Sequence, residues 1–442
     1  MKVLWICHFS NPQVREKLNL TVSFIEALAR KLLKIPQKQW NDFAAWITNG
    51  IEEFEKFDDI ELHVVSPHYG IKKRIDSFEL NGIFYHFFKP DDDSIIKKMR
   101  RYISKNIESD YEGNRKAISN LIESINPDVI HMYGAENPYY SISALDIDLR
   151  KYPLMVSLQT LMSDSAFLEN YPIDNRSYNF RSSIEQKIIK RIDYIGSSVQ
   201  KYRQIIWSSY NPKAIFFKTY LAVEEKVDII NMDKKYDFVF FAASINKHAD
   251  IAVEAFALAS KTIPGLTLNI IGGTPEPFTG ELKARINELG IANCVFFSGM
   301  LPTHQDVLKQ IQLSRFAILP LKVDGVSGTI REAMFAGIPI VSTITRSTPD
   351  LNVNRESLLL SKQGDFEGMA FNMVRLVQSP ELAFRLRSNA LITAQEKWNN
   401  NCSMSQLIEV YKAIIMNHKH DSEIPNELGD KNPNVDYAGQ NC

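Results

Sequence analysis

Short apolar or β-branched runs at 3–9, 60–66, 129–133 and 154–158 alternate with stretches at 42–57, 113–125 and 182–192 whose apolar residues recur at helical spacing. Strands alternating with helices pair in parallel, because a helix-length crossover returns the chain to the start of the next strand. Leu80-Asn81-Gly82-Ile83 interrupts the rhythm with a hairpin signal, since both central residues tolerate positive φ, and 83–88 is its second strand. The second half repeats the alternation: 238–242, 266–271, 294–297, 316–319, 338–342 and 358–360 read as buried strands, with helices at 249–261, 280–289 and 305–313. The expected fold class is α/β, with two doubly wound Rossmann-like domains. Charge-rich, weakly periodic residues 218–236 hold the boundary, giving domains at 1–222 and 223–385. Helical residues follow at 386–417. The polar stretch 418–442, with Pro425, Gly429, Pro433 and Gly439, is expected to be disordered.

Composition narrows the function. The chain's 442 residues suffice for two cores, and 45% hydrophobic with 23% charged residues excludes a wholly disordered chain. A net charge of −1 provides no global field to draw nucleic acid, so none is expected as a partner. Cys7, Cys294, Cys402 and Cys442 are scattered, without zinc-ligand spacing or a disulfide framework, and fit a reducing compartment. The apolar start is too short for a signal sequence, and no run of 18 apolar residues occurs, so a cytoplasmic protein is expected. The basic run 97–105, with interleaved apolar residues, is either a solvated helix face or a patch that rests on anionic lipid at the inner face of the membrane. Asp91-Asp92-Asp93 reads as a solvated loop.

The densest chemistry lies in Asp324-Gly325-Val326-Ser327-Gly328-Thr329-Ile330-Arg331-Glu332, followed by Gly337. Thr329 and Glu332 have capping-box spacing, and Ile330, Ala333, Met334 and Gly337 share one helical face, so a helix begins near Thr329 and Gly337 ends it. The glycines ahead of it let an anion approach the first-turn N–H groups at the positive end of the helix dipole. Asp324 and Glu332 then bracket an anion and offer acceptors to sugar hydroxyls. The alternative is that Glu332 only reaches back to the Thr329 N–H as a cap.

This phrase resembles the acidic-x7-Glu motif of retaining GT-B glycosyltransferases of family four, also called group one. Asp324 stands at the first acid. The resemblance implies two Rossmann-like domains facing across a cleft, with a terminal helix crossing back to the first. It also implies transfer of a hexose-type sugar from a nucleotide diphosphate donor to a saccharide or lipid-linked acceptor, with retention, no metal or cofactor, and a place in surface polysaccharide biosynthesis. On it, Ser244, Lys247, Gly325, Val326, Ser327, Gly328 and Thr329 line the donor diphosphate, Asp324 contacts the hexose and Glu332 the ribose. Ile270-Ile271-Gly272-Gly273 resembles the family's Val-Gly-x-Gly segment on the donor side, and Val295-Phe296-Phe297-Ser298-Gly299-Met300 resembles its turn near the nucleobase. The signature after 238–242 keeps its lysine as Lys247 but lacks its arginine.

In the first half, His131, Gly134 and Glu136 resemble a strand-to-loop segment of capsule and lipopolysaccharide transferases, and Gln159 stands where many members carry histidine. Ser10-Asn11 replaces a glycine pair on the acceptor side. A loop carboxylate at the carboxyl end of a strand faces the crevice of an open sheet, which favours Glu136. His131 reads either as a satisfied structural residue or as an acceptor contact. Gln159 orients without titrating. The candidate catalytic residues are Asp324, Glu332, Lys247, Gln159 and Glu136. An alternative function is that of an inactive GT-B protein that binds a sugar nucleotide in support of a partner transferase.

Overall fold

The computed structural model describes residues 1–21, 42–91, 111–170, 175–223, 233–241, 247–273, 278–322 and 327–435. Asp324, Gly325, Val326 and Ser244, the basic run 97–105 and Asp92–Asp93 lie outside them.

The first domain is built on β1 (Lys2–Ile6), β2 (Glu61–Pro67), β3 (Ile75–Leu80), β4 (Ile83–Phe88), β5 (Val129–Tyr133), β6 (Leu154–Ser157), β7 (Tyr194–Ser197) and β8 (Ile215–Lys218). The second is built on β9 (Tyr236–Phe240), β10 (Leu268–Ile271), β11 (Val295–Gly299), β12 (Ser314–Leu319), β13 (Ile340–Thr343) and β14 (Leu359–Ser361); β15 (Gly429–Asp430) comes last in the chain. The second sheet runs β11-β10-β9-β12-β13-β14, parallel throughout, which is the doubly wound order that opens a crevice beyond β9 and β12. The first sheet runs β15-β8-β7-β6-β5-β1-β2-β4-β3; only its two edge strands are antiparallel. The β3–β4 hairpin turns on Asn81 at φ 53° and Gly82 at φ 77°, as the dipeptide predicts.

Each sheet has an apolar core on both faces. In the first domain one core packs β1, β5 and β6 against Glu112–Ile125 and Asn175–Arg191. The other includes Trp5, Phe54 and residues of the Asn400–His420 helix. That helix crosses back from the second domain, as the resemblance implies. Tyr411 Oη accepts from Trp5 Nε1 at 2.9 Å and bonds His131 Nδ1 at 2.5 Å.

The crossing point differs from the expected residue 386. Leu386, Ala390 and Ala394 belong to second-domain cores, so the Pro380–Lys397 helix stays with that domain and the chain leaves it at Trp398. Asn400 then fastens the two interdomain connections: its Oδ1 accepts from Val223 N at 2.9 Å and its Nδ2 donates to Val223 O at 2.8 Å.

The expected disorder of 418–442 is also corrected through Val435. Helix continues to His420, Ile424 is buried, and β15 adds to the free edge of β8 opposite Phe216 and Phe217. Arg203 binds Asp430, and Asn432 Nδ2 donates to Pro212 O at 3.1 Å. A polar segment with few apolar residues is ordered here because an exposed strand edge offers it backbone partners.

Candidate active site

The helix anticipated from the acidic motif spans Gly328–Phe335, and Gly337 closes it at φ 64°. Ser327, not Thr329, is its N-cap residue, and its side chain makes no capping bond. The capping-box reading is therefore set aside: Thr329 already lies inside the first turn. Instead Ser327 Oγ bonds Thr329 Oγ1 at 2.7 Å and accepts from Lys247 Nζ at 3.2 Å. An ammonium from the β9 side thus lies at the Ser327 N-cap, by the positive end of the helix, an arrangement suited to a phosphate. A Cβ on Gly328 would sit 3.7 Å from Glu332 Oε1, an ordinary contact, so the missing side chain opens access and is not demanded by packing.

Glu332 lies one turn further on, with Oε1 3.7 Å from His304 Nε2. Burial raises its pKa, while His304, Arg331 and Lys247 pull it down. An open interdomain cleft is lined here by Glu332, Arg331, Phe335, Gly328 and His304, and across from them by Trp46, Asn49 and Val223. His304 and Trp46 were missed in the sequence. His304 is the first residue after Thr303, whose capping box with Asp306 is readable as Thr-x-x-Asp, but the approach to Glu332 is a tertiary fact.

The two glycine-bearing donor-side segments meet at the carboxyl ends of β10 and β11. Gly272, at φ 112°, donates its N–H to Gly299 O at 2.8 Å. Met300 is 77% exposed and lies against Gly273, where a Cβ would meet its Cγ at 2.8 Å. The result is a bare glycine turn beside an exposed thioether, able to receive a flat ring.

On the first domain Gly134, at φ 88°, makes room for a carboxylate: a Cβ there would come within 2.5 Å of Glu136 Oε2. Glu136 is buried; Oε1 accepts from Asn137 Nδ2 at 3.1 Å, and Oε2 has no hydrogen-bond partner among the described residues. Burial pushes its pKa up to about 7, although the Glu136 backbone N–H, the charge of Arg181, which donates to the Glu136 carbonyl at 2.7 Å, and the Ala135 N–H oppose the rise. Burial also raises Glu185 to about 7, with Glu136 adding to the rise. Gln159 is half-buried beyond β6, and its neighbour Thr160 has a buried hydroxyl with no partner among the described residues. Two buried oxygens, on the loops beyond neighbouring strands, thus have no hydrogen-bond partner among the described residues.

The other acceptor-side residues are engaged within the fold, and for His131 this corrects the acceptor-contact reading. His131 is wholly buried, with both ring nitrogens engaged by Tyr411 and by Ser157 Oγ at 2.7 Å, and burial lowers its pKa to about 3; it is a structural residue. Asn11 caps the Pro12–Lys17 helix and donates to Thr48, while buried Ser10 accepts from Arg15 and exchanges backbone bonds with Phe43. Asp91 holds Arg74 at 2.8 Å. Among the described residues no three His, Cys, Asp or Glu cluster to hold a metal, and no helix is long and apolar enough to cross a membrane.

Residues 236–379, which contain the Lys247, Met300 and Glu332 positions, match the family of glycosyl transferases group 1. The chain has the GT-B fold, and over residues 236–379 it is similar to the group 1 glycosyl transferases. It is 24% identical over 211 residues to an uncharacterized glycosyltransferase of Haemophilus influenzae, covering 48% of this chain and 55% of that protein. The chain thus spans about half the length of that curated relative. Among solved structures, the GT-B chain matches sucrose-phosphate synthase from Thermosynechococcus elongatus with a TM-score of 0.64 at 10% identity, covering 93% and 98% of the two chains. It matches Anabaena HepE, solved with UDP and glucose, with a TM-score of 0.63 at 13% identity, covering 93% and 99%.

Proposed function

We propose that this chain transfers a hexose-type sugar from a nucleotide diphosphate donor to a hydroxyl of a saccharide or lipid-linked acceptor, with retention of configuration. The observation that carries the reading is the meeting of Lys247 with the amino end of the Gly328–Phe335 helix, one turn from Glu332. In this scheme the helix amides and Lys247 receive the charge that develops on the departing diphosphate. Glu332 accepts from the ribose hydroxyls, Asp324 binds the donor hexose, and the Gly272–Met300 surface receives the base. Across the cleft Gln159 orients the acceptor. Glu136, poised near neutrality, takes the acceptor's proton. Cationic and dipolar groups suffice for the leaving group, so no metal is assigned. HepE, of the same fold, binds UDP and glucose, which supports a uridine nucleotide as the first donor to test. Assembly of surface polysaccharide rests on the family resemblance alone.

The test is thermal stability of the purified chain against UDP-, GDP- and ADP-sugars, repeated with Glu332→Ala, because a ligand that binds the native state raises its apparent stability. A selective rise that Glu332→Ala removes supports the donor site, and NMR of the product then reads the anomeric configuration. Absence of a rise with every nucleotide, in folded protein, refutes the donor assignment. A rise without transfer or hydrolysis points to the inactive, nucleotide-binding alternative.

A further inference from the structure

Beyond Gln159 and Thr160, residues 161–164 are held by a set of backbone ties. Met162 N and Ser163 N donate to the buried Glu185 carboxylate at 2.9 and 2.8 Å. Tyr178 Oη donates to Met162 O at 2.7 Å, and Tyr210 Oη to Ser163 O at 3.1 Å. Asp164 N returns to Leu161 O at 3.1 Å, and Leu161 and Met162 are buried. All these ties lie within the first domain. The Asp164 carboxylate is different: only 6% exposed, it takes Ala166 N at 3.2 Å and then two parallel bonds from Arg346 of the other domain, Nε to Oδ2 at 2.8 Å and Nη2 to Oδ1 at 3.0 Å.

Arg346 stands on the loop after β13, in a turn fixed by hydroxyls: Thr345 N donates to Thr348 Oγ1 at 2.8 Å, and Thr348 Oγ1 donates to Thr343 O at 2.8 Å. The backbone that presents the guanidinium is therefore held in place. A bidentate pair with one carboxylate largely removed from water is both stronger and more exacting in direction than a surface ion pair. A second, longer contact runs alongside, from Gln200 N to Asp350 Oδ2 at 3.4 Å.

We infer that Arg346 and Asp164 form an interdomain clasp that positions the Gln159–Asp164 loop against the donor domain, with Glu185 as the fixed support beneath it. Arg346 acts through Asp164 and is a positioning residue; it need not touch either substrate. Opening of the cleft separates the pair, and closure brings Gln159 and the donor helix into a single arrangement. The inference rests on the transferase reading for its kinetic consequence, but not for the structural one.

The test compares the full chain with Arg346→Glu, Arg346→Lys and the exchange Asp164→Arg with Arg346→Asp, reading hydrogen exchange of the 159–164 amides, UDP affinity and steady-state kinetics. Arg346→Glu is expected to speed exchange at 159–164 and lower kcat about 10- to 100-fold, since a small misplacement far from the chemistry has effects of that size. UDP affinity should stay within about twofold, because the donor helix is untouched. Arg346→Lys should recover part of kcat, and the exchanged pair should surpass Arg346→Glu in both readouts. Unchanged exchange and kcat in Arg346→Glu overturn the clasp, as does an exchanged pair no better than that single variant. Arg346 is 37% exposed, so its replacement leaves the core intact. If no sugar nucleotide is turned over by the parent chain, hydrogen exchange alone decides the clasp, and the failure belongs to the transferase reading.

Discussion

Replacing Glu136 by Gln isolates the energetic effect of a buried carboxylate. Its pKa stands at about 7 in the folded protein against 4.5 for the free group, which corresponds to about 3 kcal/mol between the two protonation states. Because the folded value is the higher, the native chain holds this proton between pH 4.5 and about 7 while the unfolded chain has released it. The stabilisation from the bound proton is complete below the lower value and lost as pH rises through the upper one. Gln does not titrate. Its amide meets the site where Oε2 has no partner, so the variant also carries a nearly constant penalty of about 1–3 kcal/mol for a buried unpaired donor. The informative quantity is the change with pH: relative to the parent, Glu136→Gln should gain about 3 kcal/mol between about pH 4.5 and about pH 8. Glu185, freed of its charged neighbour, shifts downward and changes the total in the same direction. Urea unfolding of both proteins at the two pH values, fitted with a common m-value, measures the change. Parallel pH profiles would refute the argument, because they would mean that Glu136 is ionised and solvated in the folded chain. Sugar transfer should fall in the same variant as the proton acceptor disappears, giving a less active protein whose stability above neutrality equals or exceeds the parent's.

Other predictions follow from single contacts. Glu332→Ala should weaken UDP binding about 10- to 100-fold by calorimetry, the effect of about 1.5–3 kcal/mol for hydrogen bonds to a charged acceptor; equal affinity would remove Glu332 from the ribose site. Tyr411→Phe strands the indole N–H of Trp5 and Nδ1 of His131 in the core, and should lower the unfolding free energy by about 2–4 kcal/mol in a urea titration. Gly134→Ala places a methyl within 2.5 Å of the Glu136 carboxylate at a residue with φ 88°, so it should lower stability by about 1–3 kcal/mol and move Glu136 out of its seat. A wild-type urea midpoint and turnover in that variant would show that the cradle has slack.

The alternation of strands and helices is local, and so the paired α/β domains, the Asn81-Gly82 turn and the helix behind the acidic motif are legible from short windows of sequence. What escapes such windows is set by partners far along the chain. His131 at a strand end reads equally as ligand or scaffold until Tyr411, 280 residues away, claims its ring. The Pro380–Lys397 helix gives no local sign of its domain allegiance; that depends on Leu386, Ala390 and Ala394 finding second-domain partners, and on Asn400 reaching back 177 residues to Val223. Glu332 carried a cap-like spacing, yet its surroundings are decided by His304 and the cleft. The Arg346–Asp164 pair, 182 residues apart, leaves no spacing signal at all.

The short β15 strand gives the tail a protective role. Without it, β8 would end the sheet as an exposed edge, with the backbone of Phe216 and Phe217 open to pairing by another chain. A truncation after His420, which a reading of the tail as disordered would invite, removes that cover together with Ile424, a buried member of the first-domain core. Such a shortened protein trades a solved solubility problem for edge-to-edge association, and a fusion partner placed at this end must leave residues 421–435 free to fold back.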